Sequence, residues 1–386
     1  MKREYKIYLI STILFLFVLY LFLIQSIFHF FPELGLSGVV EKPQKPEINL
    51  RSWFSGETQK QVEDLLDKSL GFRSHLIRSD NQLNYWLFKE SYQKTNSKII
   101  IGKENYLYEN NYIKSYLARD AKDLEFFENK VIKLKKLQDL LAERGIEFIF
   151  LIAPSKAVYY SEYLPDRLIY KTAEKQRVTN YEKIIPLLDE YKINYLDGRK
   201  MFADLKGGTK YKLFSKSGAH WTYYGSCLMT QKIFTYLGDK KTASLNIPDC
   251  EHIELNSTPQ GDDVDLSELI NIWTPKIFYE TLAYPKFNTS SSQINDLNFL
   301  IVGDSFVWGI LKNIKDANLL NDYNFYYYFK TNYDKNRATK EINQKDTAYL
   351  KEEILKNNVV ILENNEAGLA SNDFGFLEAS FEALDK

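Results

Sequence analysis

A largely apolar run, Leu297 to Val302, ends in Gly303-Asp304-Ser305-Phe306 and passes at once into the helix-like Val307-Trp308-Gly309-Ile310-Leu311. A run without alternation suits a strand covered on both faces, as in a parallel sheet. In such sheets reacting groups gather at the carboxyl ends of the strands, and a helix N-terminus there favours negative charge. Ser305 stands at that point. Two readings apply to it, a nucleophile or a side-chain cap of the following helix.

The rest of the chain supplies the sheet. Leu124 to Arg144 has the apolar spacing of an amphipathic helix, and Gly145 follows where a left-handed C-terminal glycine belongs. Ile146 to Ala153 is almost uninterrupted apolar and predicts a central strand. Helices are predicted over Ala173–Tyr191 and Thr222–Leu237, the latter stopped by Gly238, with a short strand at Ile193–Leu196 ending at Asp197. After the Leu297 strand and its helix come an aromatic strand at Tyr323–Phe329, a helix at Thr347–Lys356 and a strand at Val359–Glu363. Strands alternating with helices predict an α/β fold, a central parallel sheet with helices on both faces. Residues 239–296 are polar and irregular, with Ser290-Ser291-Ser292 near their end, and read as an insertion.

The N-terminal part differs. Ile7 to Phe28 contains no charged residue and is long enough to cross a hydrocarbon core of about 30 Å as a helix. Lys2, Arg3 and Lys6 precede it, which places the N-terminus in the cytoplasm and the rest outside the membrane, periplasmic or extracellular. A cleaved signal peptide competes, but the apolar run is longer than usual and its bulky end offers no small-residue cleavage site. The expected division is 1–31 for the cytoplasmic tip and anchor, 32–52 for a linker, 53–110 for a helical segment and hairpin, and 111–386 for the α/β domain. Within 53–110, helical spacing runs from Trp53 to Phe88 with a break at Gly71, and Lys98–Tyr108 predicts a hairpin. The 50 basic and 51 acidic residues nearly cancel, so no electrostatic footprint for nucleic acid appears. Cys227 and Cys250 are too few for a disulfide framework or a zinc site, though one bridge is open to them.

A serine nucleophile needs a base, usually histidine. The chain has four: His29 at the membrane boundary, His75 in the helical segment, His220 in Ser217-Gly218-Ala219-His220-Trp221-Thr222, and His252 in Asp249-Cys250-Glu251-His252. The last two are the candidates. Asp249-x-x-His252 has the spacing of the acid–base pair of ordinary SGNH hydrolases, but it precedes the serine instead of following it.

His220-Trp221 before a helix, with Gly303-Asp304-Ser305-Phe306 in strand–turn–helix context, resembles the SGNH hydrolase-like domain of the alginate O-acetyltransferase family of AlgJ/AlgX type. The resemblance is also carried by Leu70-Gly71-Phe72-Arg73, Ile101-Gly102-Lys103 with Tyr106-Leu107-Tyr108, Ala153-Pro154-Ser155-Lys156, and Gly261-Asp262-Asp263-Val264-Asp265-Leu266. It implies a flavodoxin-like three-layer domain and acyl transfer from a serine acyl-enzyme to hydroxyls of an exported polysaccharide or cell-wall glycan. It implies Ser305 as nucleophile and His220 as general base. No bound cofactor is implied; the acetyl group would come from a membrane-bound O-acyltransferase partner.

The family's aspartate stands two residues before the histidine, where this chain has Gly218. Three explanations follow: a substitute carboxylate (Asp197, Asp304 or Glu366), a Ser–His dyad, or a domain that has lost catalysis and serves as a glycan-binding scaffold. An acetyl esterase would use the same serine and histidine. Lys156, Trp221 and Trp308 are expected as oxyanion or substrate contacts, against the alternatives of a solvated loop lysine and core aromatics.

Overall fold

The computed structural model describes residues 2–38, 44–91, 99–169, 177–241, 244–288, 293–336, 338–371 and 373–385. It divides into two compact units: Met1–Tyr92 with Ser267–Lys276, and Gln93–Leu266 with Ile277–Lys386.

The first unit is helical: α1 (Lys2–Phe28), α2 (Leu50–Phe54), α3 (Glu57–Ser69) and α4 (Arg73–Phe88). Tyr5–Phe28 is the one helix among the described residues long and apolar enough to cross a membrane. The expected break at Gly71 lies between α3 and α4, where the chain touches the end of α1. A Cβ at Gly71 would stand 2.6 Å from Phe22 O, and the Gly71 N–H donates to Ser26 Oγ at 2.7 Å. Only glycine fits so close to another backbone.

The second unit holds the α/β sheet. Its strands are β1 (Glu147–Ala153), β2 (Tyr195–Asp197), β3 (Asn295–Gly303), β4 (Leu320–Tyr327), β5 (Thr331–Asp334), β6 (Thr339–Glu341) and β7 (Val359–Asn365), in the order β6-β5-β4-β3-β7-β1-β2. The five from β4 to β2 are parallel, and β5 and β6 continue the sheet antiparallel. The expected parallel centre is present within a mixed sheet. A simple flavodoxin-like order would set β3 beside β1; here β7 lies between them, Ile361 facing Ile149 on one side and Ile301 on the other. The hairpin of Ile99–Ile101 and Leu107–Glu109 belongs to this unit.

Side chains alternate across the sheet with period two. Phe148, Phe150, Ile152, Leu300, Val302, Val360 and Leu362 face one buried layer, packed with α5 (Leu124–Ala142), α6 (Asn180–Glu190), α9 (Thr347–Leu355) and α10 (Phe376–Leu384). The opposite face meets α7 (Tyr223–Lys241) and α8 (Val307–Asp316): Phe234 stacks on Phe299 at 5.6 Å, and Trp308 meets Phe325 edge-on at 4.9 Å. Asp123 caps α5, and Gly145 after it takes φ +70°, as its position predicts. α7 runs past Gly238 to Lys241, and α6 begins only at Asn180, residues 173–176 lying outside the described residues.

The insertion is less irregular than expected. It contains an antiparallel strand pair, Ile253–Asn256 with Leu282–Pro285, and its Ser267–Lys276 stretch groups with the helical unit; Ser290–Ser292 lie outside the described residues. Cys227 on α7 and Cys250 form a disulfide with Cα atoms 6.0 Å apart, fastening the insertion to the sheet's helical cover.

Candidate active site

The carboxyl ends of β1, β7 and β3 are aligned, Ala153 opposite Asn365 and Leu362 opposite Val302. The turn after β3 delivers Ser305 at this edge. Gly303 is required by packing, since a Cβ there would stand 2.6 Å from Glu363 Oε2. Asp304 holds the turn: its Oδ1 accepts the Phe306 N–H at 2.9 Å, its Oδ2 accepts from Asn365 Nδ2, and its own N–H donates to Glu363 Oε2 at 2.9 Å. Ser305 Oγ lies 2.7 Å from His220 Nε2.

His220 lies on a loop clamped from two sides. Lys156 Nζ donates to Lys216 O at 3.0 Å and Gly218 O at 2.7 Å. Ser215 Oγ and Ser217 Oγ both donate to Asp263 O at 2.7 Å, and Gly218 N–H donates to Ser215 Oγ at 2.8 Å. The His220 ring packs edge-on against Phe306 at 4.8 Å, and Trp221 Nε1 donates to Phe306 O at 3.1 Å, joining the histidine's loop to the serine's turn.

The imidazole is oriented by Asp265. Its Oδ2 lies 2.8 Å from His220 Nδ1, while its Oδ1 accepts the N–H groups of Ala219 at 2.8 Å and Leu266 at 2.6 Å. A carboxylate with this many partners holds one position, so Nδ1 carries the proton and Nε2 faces the serine hydroxyl. None of the three carboxylates expected from the sequence does this. Asp197 accepts from Tyr181 Oη at 2.6 Å and from Lys200 N at 2.9 Å as a helix cap. Glu366 accepts from Arg199 Nη1 at 2.8 Å and Ser155 N at 2.7 Å, and Asp304 is engaged in its own turn. Gly218 leaves no room for the family's aspartate: a Cβ there would stand 2.3 Å from Asp262 O and 2.9 Å from Ser215 Oγ.

Burial works against charge on His220, but the charge and hydrogen bond of Asp265, with Asp262 and Asp304 adding, hold it up to about 9. Burial also pushes Glu366 up to about 7 against Arg199, and Asp263 up to about 8. Glu109 is raised by burial too, and the His220 charge opposes this.

Three further expectations change. Lys156 is buried, its ammonium is spent on the two loop carbonyls above the rings of Tyr106 and Tyr108, and burial lowers it to about 7 against Asp265 and Glu280. It positions the histidine's loop and does not line the site. Trp221 is 2% exposed and belongs to the core. Trp308 is half-buried among Phe325, Tyr327 and Tyr333. His252 is highly exposed, pairs with Asp249 at 2.9 Å and has no part in the Ser305 arrangement.

Two residues were not legible as site residues. Asp265 lies in the Gly261–Leu266 segment, whose run of acids was the available signal. Tyr328 follows β4 at this edge, and burial, with the charge of Asp304, raises its phenol so that it stays neutral. Its φ of +50°, followed by +52° at Phe329, is a left-handed conformation that bulky residues rarely adopt; Tyr328 N–H donates to Gly303 O at 2.9 Å, fixing the turn. Sequence carries no sign of such a turn.

A serine at the end of a parallel strand, bonded to a histidine that is bonded to an aspartate, on a sheet covered by helices, defines an SGNH hydrolase-like domain. Residues 99–275 match the family model described as the SGNH hydrolase-like domain of acetyltransferase AlgX. The match contains His220 and Asp265 and ends before Ser305. No curated protein matches the chain. Similar solved structures are the O-acetyltransferase domain of Pseudomonas putida AlgJ (16% identity, 71% of this chain and 92% of that one, TM-score 0.45), Bacillus cereus PatB1 (13%, 72% and 98%, 0.46) and Pseudomonas aeruginosa AlgX (16%, 74% and 68%, 0.43).

Proposed function

We propose that this chain is a membrane-anchored O-acetyltransferase that carries an acetyl group on Ser305 and passes it to a hydroxyl of an exported polysaccharide or cell-wall glycan. The observation that carries the reading is the continuous line Ser305 Oγ–His220 Nε2, His220 Nδ1–Asp265 Oδ2, at 2.7 and 2.8 Å. Ser305 Oγ attacks the acetyl carbonyl carbon as its proton passes to Nε2. The tetrahedral intermediate collapses, the leaving oxygen takes that proton, and acetyl-Ser305 remains. An acceptor hydroxyl then loses its proton to Nε2 and attacks the ester, and Ser305 leaves with the proton. Asp265 stabilises the imidazolium in both halves. The Ser305 backbone N–H and the Tyr328 hydroxyl act as donors to the oxyanion.

The membrane setting rests on α1, with Lys2, Arg3 and Lys6 on its cytoplasmic side, and on the Cys227–Cys250 disulfide, which suits an oxidising compartment. The acetyl donor on that side would be supplied by a membrane-bound O-acyltransferase, as the family resemblance implies.

The test is incubation of the purified chain with a chromogenic acetyl ester, with and without oligosaccharide acceptors. Acetylated sugar in the product identifies a transferase; hydrolysis alone identifies an esterase, and neither activity points to a scaffold. Tyr328→Phe keeps the ring and removes one donor, and kcat is expected to fall about 10²-fold with little change in KM. An unchanged kcat would remove Tyr328 from the oxyanion site.

A further inference from the structure

Two cavities outside the serine site adjoin each other on the α/β unit. One, of about 560 Å³, has Tyr223, Tyr284, Gln260 and Asn256 among its walls; the other, of about 640 Å³, reaches Pro248 and His252. Lys286 and Phe287 line both, so the two share a wall. We infer that together they form one elongated groove that binds a neutral glycan chain, the acceptor of the reaction; the acceptor role, though not the binding, rests on the acetyltransferase reading.

Four features lead there. The groove presents aromatic rings already fixed in place. Tyr284 Oη donates to Asp263 Oδ2 at 2.9 Å and accepts from Gln260 N at 3.1 Å, and its ring lies 5.7 Å from that of Tyr223. Rigid rings beside amide side chains suit a sugar, which has apolar C–H faces and hydroxyl edges, and they lose little entropy on binding. Second, its charges are matched internally: Lys286 pairs with Glu254 at 2.6 Å, and Lys312 with Asp316. Neither lysine is left to select an anionic sugar. Charged and amide side chains outnumber apolar ones in the first cavity, which disfavours an apolar peptide.

Third, the walls are built on the segments that hold the triad. Tyr223 opens α7 three positions after His220, Gln260 and Gly261 lead into Asp265, and Lys312 and Asn313 lie on α8. At 1.5 Å per residue these α8 positions are about 10–12 Å along the helix from Ser305, a distance an extended chain spans and a single small molecule does not. Fourth, the far wall is anchored: the disulfide from Cys227 fixes Cys250 between Pro248 and His252. The exposed Asp249–His252 pair thus marks the end of a binding groove.

The experiment measures binding to the full-length Ser305→Ala chain in detergent, by calorimetry, with cellohexaose, chitohexaose and hexagalacturonate as probes. A neutral hexamer should bind at least tenfold more tightly than its monosaccharide and than the uronate. Phe287→Ala and Asn256→Trp, one removing a wall and one filling the groove, should each weaken it fivefold or more, with unchanged near-ultraviolet dichroism confirming the fold. Lys200→Ala, elsewhere on the surface, should bind as the parent does. Absence of saccharide binding, preference for the uronate, tighter binding of a proline-rich peptide probe, or indifference to both groove variants would overturn the inference. Ester hydrolysis by the unsubstituted chain is read separately. Glycan binding without hydrolysis removes the catalytic reading alone, and hydrolysis without glycan binding removes the groove alone.

Discussion

Ser305→Ala is expected to lower kcat for acetyl transfer and for ester hydrolysis by about 10⁴- to 10⁶-fold, the loss seen when a triad nucleophile is removed. It should leave folding stability within about 0.5 kcal/mol. The second half of this expectation decides between the two readings of the serine. A capping serine accepts an N–H of the first helical turn, and its replacement by alanine costs about 1 kcal/mol. Here no side-chain cap bonds the start of α8; the Phe306 N–H is taken by Asp304 Oδ1, and Ser305 Oγ faces His220. The measurement pairs steady-state turnover with a denaturant titration of the same variant. Retained turnover with a clear loss of stability would make Ser305 a cap, and the acyl-enzyme would be lost with it.

Some of this was legible in the chain itself, for physical reasons. Ile146–Ala153, Leu297–Val302 and Val359–Glu363 are apolar on both faces because helices cover both, and that pattern needs no knowledge of partners. The last two strands on one side of the sheet, Thr331–Asp334 and Thr339–Glu341, are polar and partly or fully exposed, so nothing in their composition marks them. Insertion of β7 between β1 and β3 leaves no local trace, because strand order is set by crossovers. At the site, Ser305 and His220 each begin or precede a helix after a strand or turn, and that context is local. The Asp265–His220 contact joins segments on either side of the long α7 and the first part of the insertion. Asp197 and Glu366 stand near strand ends in the sequence order, but each is claimed by other partners. Lys156 shows the same limit in reverse. As a loop lysine it reads as solvated or as a ligand for anions, and only the fold reveals two backbone carbonyls that bury it.

Asp265→Asn carries the other large effect, and its size should depend on pH in a way that separates orientation from mere structure. The working base is neutral His220. With Asp265 in place its pKa is raised to about 9, so at pH 7 only about 1% of the free enzyme holds the base in its active form, and kcat/KM should rise about tenfold per pH unit up to that point. Asparagine keeps the shape but removes the charge, and it can present the wrong hydrogen-bonding group to Nδ1. The plateau of kcat/KM should therefore fall about 10⁴-fold. Without the Asp265 charge burial dominates and the histidine pKa drops toward or below its ordinary range, so the acid limb of the profile should move at least about two pH units lower. The two changes oppose each other at neutral pH. Assayed at pH 7, the variant should look only about 10²-fold impaired, and the larger loss should emerge above pH 9. An equal loss at both pH values, or a plateau within tenfold of the parent, would mean that Asp265 does not set the charge of His220. Adding Gly218→Asp to the variant should not restore activity. The new Cβ would stand 2.3 Å from Asp262 O, on the same segment that holds position 265, so forcing it in displaces that backbone. Recovery in the double variant would show that the loop can accept the family's arrangement and that the carboxylate has not moved for steric reasons.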